Sequence, residues 1–257
     1  METVSTMSPA RIARAWLQEA KYEFLRLLRT PSFALPTLLF PSMFYLLFGV
    51  MLNHGSGHGF DVASYLLVSY SVFGVMAPGL FGFGVVVALE REHGLLTLKR
   101  ALPMPPGAYL FAKMLMAMLF VAIIVALLSG LAFIFGHVRL PWVNLLALLG
   151  VDVLGVLPFC AIGLFLGTIV GGQGAPAVIN LIYLPMAFLS GLWIPLNMLP
   201  HVLQQVAPLW PANHLFLIAL NASGLGDDHR GMWHVLVLAG FTAVFFLLAR
   251  RRLAKAG

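Results

Sequence analysis

Long apolar segments alternate with short polar connections along most of this chain. Six apolar runs lie near residues 33–52, 62–89, 109–135, 143–170, 175–194 and 232–249. A helix of about 20 apolar residues spans the hydrocarbon core of a bilayer, and each run is close to that length or longer. The pattern therefore predicts an all-α membrane protein with six transmembrane helices within residues 32–250.

The segment before the first run, residues 1–31, predicts an amphipathic helix over Ser8–Thr30. Trp16 belongs to an apolar stripe at helical spacing, whereas Arg11, Arg14 and Lys21 lie largely away from it. A basic helix with such a face is suited to lie along the cytoplasmic membrane surface; the alternative is a helix packed on a soluble partner. No cleavage pattern accompanies this segment, so it is not predicted to be a signal peptide.

Composition supports the membrane assignment. The chain is 61% hydrophobic and only 9% charged, whereas a soluble domain carries about 25% charged residues. The formal charge of +6 could indicate a nucleic-acid partner, but the basic residues flank apolar runs, which argues against one. Cys160 is the only cysteine, so neither a disulfide nor a cysteine metal site is available.

The distribution of positive charge predicts the orientation. If six spans alternate, 13 of the 15 lysines and arginines fall on the side that holds both termini and the connection after the second run. Only Arg139 and Arg230 fall on the other side. The positive-inside rule therefore predicts cytoplasmic termini, with residues 251–257 as a basic cytoplasmic tail.

The connection at residues 90–108 is the most densely charged part of the chain. It contains Glu90, Arg91, Glu92, Gly94 and Leu96, and it ends in a proline-rich run that cannot continue a helix. A short charged helix here would be a binding site, or handle, for a soluble partner protein. An ordinary solvated loop carrying orientation charges explains the same residues.

The stretch between the fifth and sixth runs is apolar yet interrupted by prolines. It contains Trp193, Pro195, Pro200, Trp210 and His214. Over residues 195–225 it predicts short re-entrant helices that dip into the outer leaflet, with the tryptophans near the interface. A backbone with this many interruptions must be buried in protein or line a cavity.

Several polar residues lie in the apolar runs, and two of them are candidates for a place on a substrate pathway. Asp152 is the only acidic residue well inside a run, and Asn180 is a weaker case. Such groups usually face the bundle interior, so each either lines a substrate pathway or is satisfied by a neighbouring helix. His54 and His58 are four residues apart, but the glycines between them disfavour a helix and no carboxylates support them, so no metal site is predicted.

Glycine and proline residues inside the runs lead to two further predictions. Glycines of the second run, among them Gly79 and Gly84, predict close packing against another helix, with a hinge as the alternative. Pro78, Pro158 and Pro185 are expected to bend their helices.

The two unusual segments, at these places in a six-span layout, resemble those of ABC-2 type transporter permeases, the membrane-spanning subunits of ABC exporters. The first is carried by Glu90, Arg91, Glu92, Gly94, Leu96, Pro103, Ala112 and Lys113, and the second by Ser190–Pro195, Met198–Pro200 and the Leu209–His214 run. Leu95 and Thr97 depart from the family pattern, in which a threonine and often an acidic residue stand there.

The resemblance implies a permease dimer, formed with a second copy or a related paralogue, in the bacterial inner membrane and surrounded by lipid. Each copy would be driven by a separate nucleotide-binding subunit that binds ATP and Mg²⁺, with residues 90–96 as the coupling contact. The sequence agrees that this chain is not the ATPase, because no phosphate-binding Gly-x-x-x-x-Gly-Lys-Ser/Thr loop occurs. No cofactor or catalytic residue is assigned to it.

Two other classes of protein stay open. A stand-alone channel or secondary transporter would need ion-coupling groups in the membrane, and Asp152 is the only candidate for such a group in the sequence. A membrane-embedded enzyme would need convergent catalytic groups that the sequence does not present. Substrate identity is not encoded in any motif, although the Phe- and Met-rich runs favour a hydrophobic or amphipathic cargo.

Overall fold

The computed structural model describes residues 9–51, 62–95 and 107–255, and the regular elements in these ranges are all helices. The all-α class is thereby confirmed for this part of the chain. The helices are α1 Pro9–Leu28, α2 Pro31–Phe44, α3 Val62–Glu92, α4 Ala108–Ile134, α5 Trp142–Gly155, α6 Leu157–Ile169, α7 Ala175–Leu189, α8 His201–Val206, α9 Pro211–Ala222 and α10 Gly231–Lys255.

Within the described ranges, five helical segments are long and apolar enough to cross a membrane. They are Pro31–Met51, Val62–Glu92, Ala108–Ile134, Trp142–Ile169 and Gly231–Leu253. The predicted fifth span is shorter as a helix, because α7 has 15 residues and therefore extends about 22 Å. Gly191, with φ +82°, turns the chain just after α7. The count of six spans remains a prediction.

Proline residues have unequal effects on these helices. The fourth apolar run is divided into α5 and α6 at Val156, two residues before Pro158. Proline favours such a break because it has no amide hydrogen to donate to the preceding turn. The helices α3 and α7 instead continue through Pro78 and Pro185. After Pro41, α2 widens into a π-helical turn over Tyr45–Met51.

The centre of the molecule is α3, the most buried of the long helices, and it packs closely against α6. A Cβ atom at Gly163 would lie 2.5 Å from the carbonyl oxygen of Gly79, and one at Gly167 would lie 2.8 Å from that of Gly84. Real Cβ atoms do not approach a backbone oxygen so closely, so only glycine allows this spacing. The predicted close packing of the second run is confirmed, and α6 is the neighbour that it meets.

Candidate functional site

Three helices meet where α3 ends and α4 begins, and their facing side chains form an ion-pair cluster of Glu23, Arg26, Glu90 and Lys113. The Nζ atom of Lys113 lies 2.5 Å from Oε1 of Glu23 and 3.4 Å from Oε2 of Glu90. The Nη2 atom of Arg26 lies 2.8 Å from a carboxylate oxygen of each glutamate. Tyr109 donates its hydroxyl hydrogen to Glu90. The cluster thus joins α1, α3 and α4.

The ion-pair cluster is largely withdrawn from solvent. Lys113 is 0% exposed, Glu90 3% and Glu23 5%. Two carboxylates balance two cations, and this balance matters because an uncompensated buried charge costs several kcal/mol, about 3–5. Burial by itself lowers the pKa of Arg26, but the negative charges of Glu23 and Glu90 raise that pKa above its ordinary value. Arg26 therefore stays cationic and completes the balance.

The next two residues of α3 contact a different part of the molecule. Arg91 donates hydrogen bonds to the carbonyl oxygens of Thr168 and Val170, the latter at 2.8 Å. These carbonyls lie at the C-terminal end of α6, where helical acceptors lack partners within the helix. An Oε2 atom of Glu92 accepts a hydrogen bond from the backbone N–H of Gly172 at 2.5 Å. The end of α3 is therefore tied to the connection between α6 and α7.

These contacts change the interpretation of the charged segment. Glu90 does not lie on an exposed handle, because it is buried among α1, α3 and α4, so it can act on a soluble partner only through its neighbours. Arg91 is half-buried, whereas Glu92 is exposed. Gly94, with φ +70°, reverses the backbone after α3. Leu96 lies outside the described residues, and the coupling role of the segment stays a prediction.

The apolar stripe of α1 packs on the first half of α4. The ring of Trp16 lies 4.9 Å from that of Phe111, and the ring of Phe24 lies 5.3 Å from that of Phe120. Arg14 and Lys21, predicted for the polar face, are exposed, and the Arg11 side chain lies outside what the structure describes. Part of the stripe is thus covered by the chain itself, and the membrane-surface role of α1 stays a prediction.

A cavity of about 570 Å³ lies between α2, α3 and α7, next to the end of α1. Its walls are mainly apolar, with Phe33, Phe40 and Phe81 among them, and Asn180 and Tyr183 contribute polar groups. Asn180 is exposed, and its place on a substrate pathway stays a prediction. The size suits one small or medium-sized organic molecule.

Asp152 lies in the bundle interior, away from this cavity. Its side chain is 0% exposed, and neither carboxylate oxygen has a hydrogen-bond partner among the described residues. The hydroxyl of Ser71, on α3, lies beside this carboxylate and also lies 2.9 Å from the carbonyl oxygen of Val68. Both options for Asp152, a place on a substrate pathway and satisfaction by a neighbouring helix, therefore stay predictions.

The stretch after α7 folds back against α3. Ser69 donates a hydrogen bond to the carbonyl oxygen of Leu192 at 2.5 Å, which places Leu192 about 10 Å along α3 from its first residue. Asn213 donates to the carbonyl oxygen of Ser190 at 3.2 Å. The ring of Trp193 lies 6.0 Å from that of Phe44, so this tryptophan packs on protein. Whether the stretch re-enters a membrane stays a prediction.

The remaining residues predicted for this stretch mark the beginnings of its short helices. Pro195 precedes a 3₁₀ turn at Leu196–Met198, Pro200 precedes α8, and Trp210 precedes α9. His214, on the first turn of α9, is buried and faces His234 of α10, with the two Nδ1 atoms 2.7 Å apart. The prolines thus set where each short helix starts.

Sequence reasoning missed several members of these clusters. Glu23, Arg26 and Tyr109 were not singled out, and Lys113 entered only as part of a family pattern. The spacing of Glu23 and Arg26, three residues apart on one helix face, was the available signal. No group of three potential metal ligands occurs in the part of the chain that the structure describes, and His54 and His58 lie outside it.

Known proteins with similar sequences share the permease description. The model of the family described as "ABC-2 family transporter protein" matches residues 56–251. YvfS of Bacillus subtilis, named as a transport permease, is 27% identical over 240 residues, which are 89% of this chain and 92% of YvfS. The inner membrane transport permease YhhJ of Escherichia coli is 27% identical over 175 residues, which are 67% of this chain and 46% of YhhJ.

Proposed function

Because the chain belongs to the ABC-2 transporter family, we propose that it is the permease subunit of an ATP-driven exporter. The family resemblance drawn from the sequence is confirmed, and the chain is a multi-pass integral membrane protein of the permease type. The proposal adds that two copies, or one copy and a related paralogue, enclose the substrate pathway in the bacterial inner membrane. A separate subunit would bind ATP and Mg²⁺ and hydrolyse the nucleotide.

The contacts of the end of α3 with α1, α4 and α6 and with the α6–α7 connection carry this proposal. Residues 90–92 are hydrogen-bonded or ion-paired to α1, to α4 and to the α6–α7 connection. A soluble subunit that pushed on the segment after α3 would therefore move these helices together as one body. Such rigid-body motion is how a contact at one end of a bundle can reach a distant pathway.

The cavity between α2, α3 and α7 is the place where that motion would act on cargo. It lies beside α3, and its aromatic and aliphatic walls favour an apolar or amphipathic molecule over a hydrated ion. Asn180 and Tyr183 would orient a polar group of the cargo by hydrogen bonding. Closure of α3 toward α7 would reduce the cavity and expel its contents.

The test is ATP-dependent transport by the reconstituted complex in inside-out vesicles. The permease is co-expressed with a candidate ABC ATPase subunit, and a panel of fluorescent amphipathic dyes serves as cargo. The proposal predicts accumulation with ATP and none with ADP, and co-purification of the two proteins. Transport by the permease alone would overturn it in favour of a channel or secondary transporter.

The coupling role of α3 is tested by Arg91→Gln, compared with Arg14→Gln as a control on the exposed face of α1. Loss of the two hydrogen bonds to the α6 carbonyls should lower the amount of dye moved per ATP hydrolysed. Binding of the ATPase should be retained because the Arg91 guanidinium is directed at the Thr168 and Val170 carbonyls. Folding should be retained because Arg91 is not part of the ion-pair cluster. Equal transport per ATP in the two variants would contradict this role.

A further inference from the structure

A continuous chain of hydrogen bonds links α9 and α10 on the side opposite the ion-pair cluster. His214 Nε2 lies 2.9 Å from the carbonyl oxygen of Pro208, and His214 Nδ1 lies 2.7 Å from His234 Nδ1. His234 Nε2 lies 3.0 Å from Asp228 Oδ2. Both imidazoles are 4% exposed. These hydrogen bonds therefore link the turn before α9, α9 itself, α10 and the connection between the two helices.

The contacts at the two ends of this series of hydrogen bonds determine which imidazole nitrogens carry a hydrogen. A carbonyl oxygen only accepts, so His214 Nε2 carries a hydrogen. The other oxygen of Asp228 accepts a hydrogen bond from the backbone N–H of Arg230 at 2.8 Å and faces its Nε at 3.4 Å. The hydrogen bond from His234, together with these, lowers the pKa of Asp228 to about 2. Asp228 is thus an ionised acceptor, and His234 Nε2 also carries a hydrogen.

The central contact requires one more hydrogen. Two nitrogens 2.7 Å apart form a hydrogen bond when one of them is protonated and the other presents a lone pair. The two imidazoles together then hold three hydrogens, one more than a neutral pair has. The ring centroids are 5.0 Å apart and the planes are inclined at 47°, so the rings meet through their nitrogens rather than by stacking.

We propose that His214, His234 and Asp228 form a proton-binding site whose single extra proton fastens α9 to α10. Removal of that proton leaves two lone pairs facing each other, and addition of a second places two N–H groups against each other. Either change breaks the central hydrogen bond. The attachment of α9, and of the proline-interrupted stretch before it, therefore depends on pH.

Other charged or titratable groups on the packed elements do not complete this chain. Those among the described residues are Tyr65, Tyr70, Glu90, Arg91 and Glu92 on α3, Asp152 on α5, Cys160 on α6, Tyr183 on α7, Arg250, Arg251 and Arg252 on α10, and Asp227, His229 and Arg230 in the connection. The α3 and α10 charges lie more than about 20 Å away along their helices. Of these described groups, Arg230 contacts the hydrogen-bonded series through Asp228.

On the acid side, where the second proton is added, the pH effect is set by His214. Burial lowers its pKa, the charge on His234 lowers it further, and the Pro208 carbonyl opposes both. A histidine with a lowered folded pKa contributes stability above its ordinary pKa of about 6.5 and loses that stability as the pH falls. Acidification therefore releases α9 from α10.

Hydrogen exchange of the full chain in lipid nanodiscs tests the site. Protection factors for peptides covering residues 200–222 are measured between about pH 8 and pH 5, corrected for intrinsic exchange. The wild type should lose protection roughly tenfold on acidification, as expected for one charge-assisted hydrogen bond. His214→Gln should remove this step, because glutamine can still donate to Pro208 but does not titrate. His229→Gln, in the exposed connection, should retain it.

An unchanged step in His214→Gln, or no step in the wild type, would overturn the proposal. A step lost equally in His229→Gln would assign it to that residue instead. If His214→Gln does not fold, the wild type with ¹⁵N-labelled histidine supplies a second measurement. A coupling across the Nδ1–Nδ1 hydrogen bond identifies the pair, and three N–H signals are expected at neutral pH, whereas two would refute the shared proton.

Discussion

Replacing Lys113 with methionine is the most direct test of the ion-pair cluster. The ammonium group is 0% exposed and lies 2.5 Å from Glu23 and 3.4 Å from Glu90. Methionine is of similar length and flexible, so the variant removes the charge without leaving a large cavity. Two buried carboxylates would then face Arg26 alone.

The expected loss depends on the burial of these charges. Removing one partner of a buried ion pair costs about 3–5 kcal/mol, since the other charge is left uncompensated. The side chain of Arg26 is 42% exposed and remains beside both carboxylates, so we expect the lower end of that range. Lys113→Met/Glu23→Gln removes one charge of each sign, and its free energy of unfolding should exceed that of Lys113→Met alone.

The assay is equilibrium unfolding of the purified chain in mixed detergent micelles, followed by far-ultraviolet circular dichroism. Lys21→Met, an exposed lysine on α1, is the matched control and should change the free energy of unfolding by less than about 0.5 kcal/mol. Equal effects of Lys113→Met and Lys21→Met would refute the reasoning. So would a double variant whose loss equals the sum of the two single losses, because the cluster would then have no internal coupling.

Single positions supply three further predictions. Gly163→Ala should destabilise the fold by about 1–3 kcal/mol, because its Cβ would meet the Gly79 carbonyl at 2.5 Å. In the same unfolding assay Gly150→Ala, which has open space around it, should be neutral or stabilising. Similar losses in the two variants would contradict the close packing. Asp152→Leu should raise the free energy of unfolding by about 1–3 kcal/mol, since the carboxylate is fully buried and neither of its oxygens is paired by hydrogen-bond geometry among the described residues. A loss would instead show that the adjacent Ser71 hydroxyl stabilises it. Asp228 has a folded pKa of about 2 against an ordinary 3.8, so its contribution to stability is present above the ordinary value and lost as pH falls through the folded pKa. Asp228→Asn should flatten that part of an acid-unfolding titration, and an unchanged profile would argue against the His234 contact.

Helix positions were predictable because they depend on local composition. The six helical segments that correspond to the apolar runs begin within two residues of them, since a run of apolar residues buries its backbone most favourably as a helix. The break at Pro158 was also visible in the sequence. The early end of α7 was less so, because the turn conformation of Gly191 depends on how residues 192–196 pack against the helices.

The directions of the charged side chains were not predictable. Glu90, Arg91 and Glu92 are adjacent, but successive residues on a helix point about 100° apart. They therefore contact three separate partners: the ion-pair cluster, the end of α6 and the backbone of Gly172. A charged stretch shows that partners are needed without showing which helices supply them.

By itself the sequence determined a helical membrane protein, the boundaries of most of its helices and its family, because these depend on apolar length and on short motifs. Only the tertiary structure decided that Lys113 pairs with Glu23, 90 residues away, that His214 faces His234, and that Asp152 is fully buried in the bundle interior. The reason is physical: a buried charge is stabilised by the groups that helix packing brings within about 4 Å, and that packing joins residues which are distant in sequence.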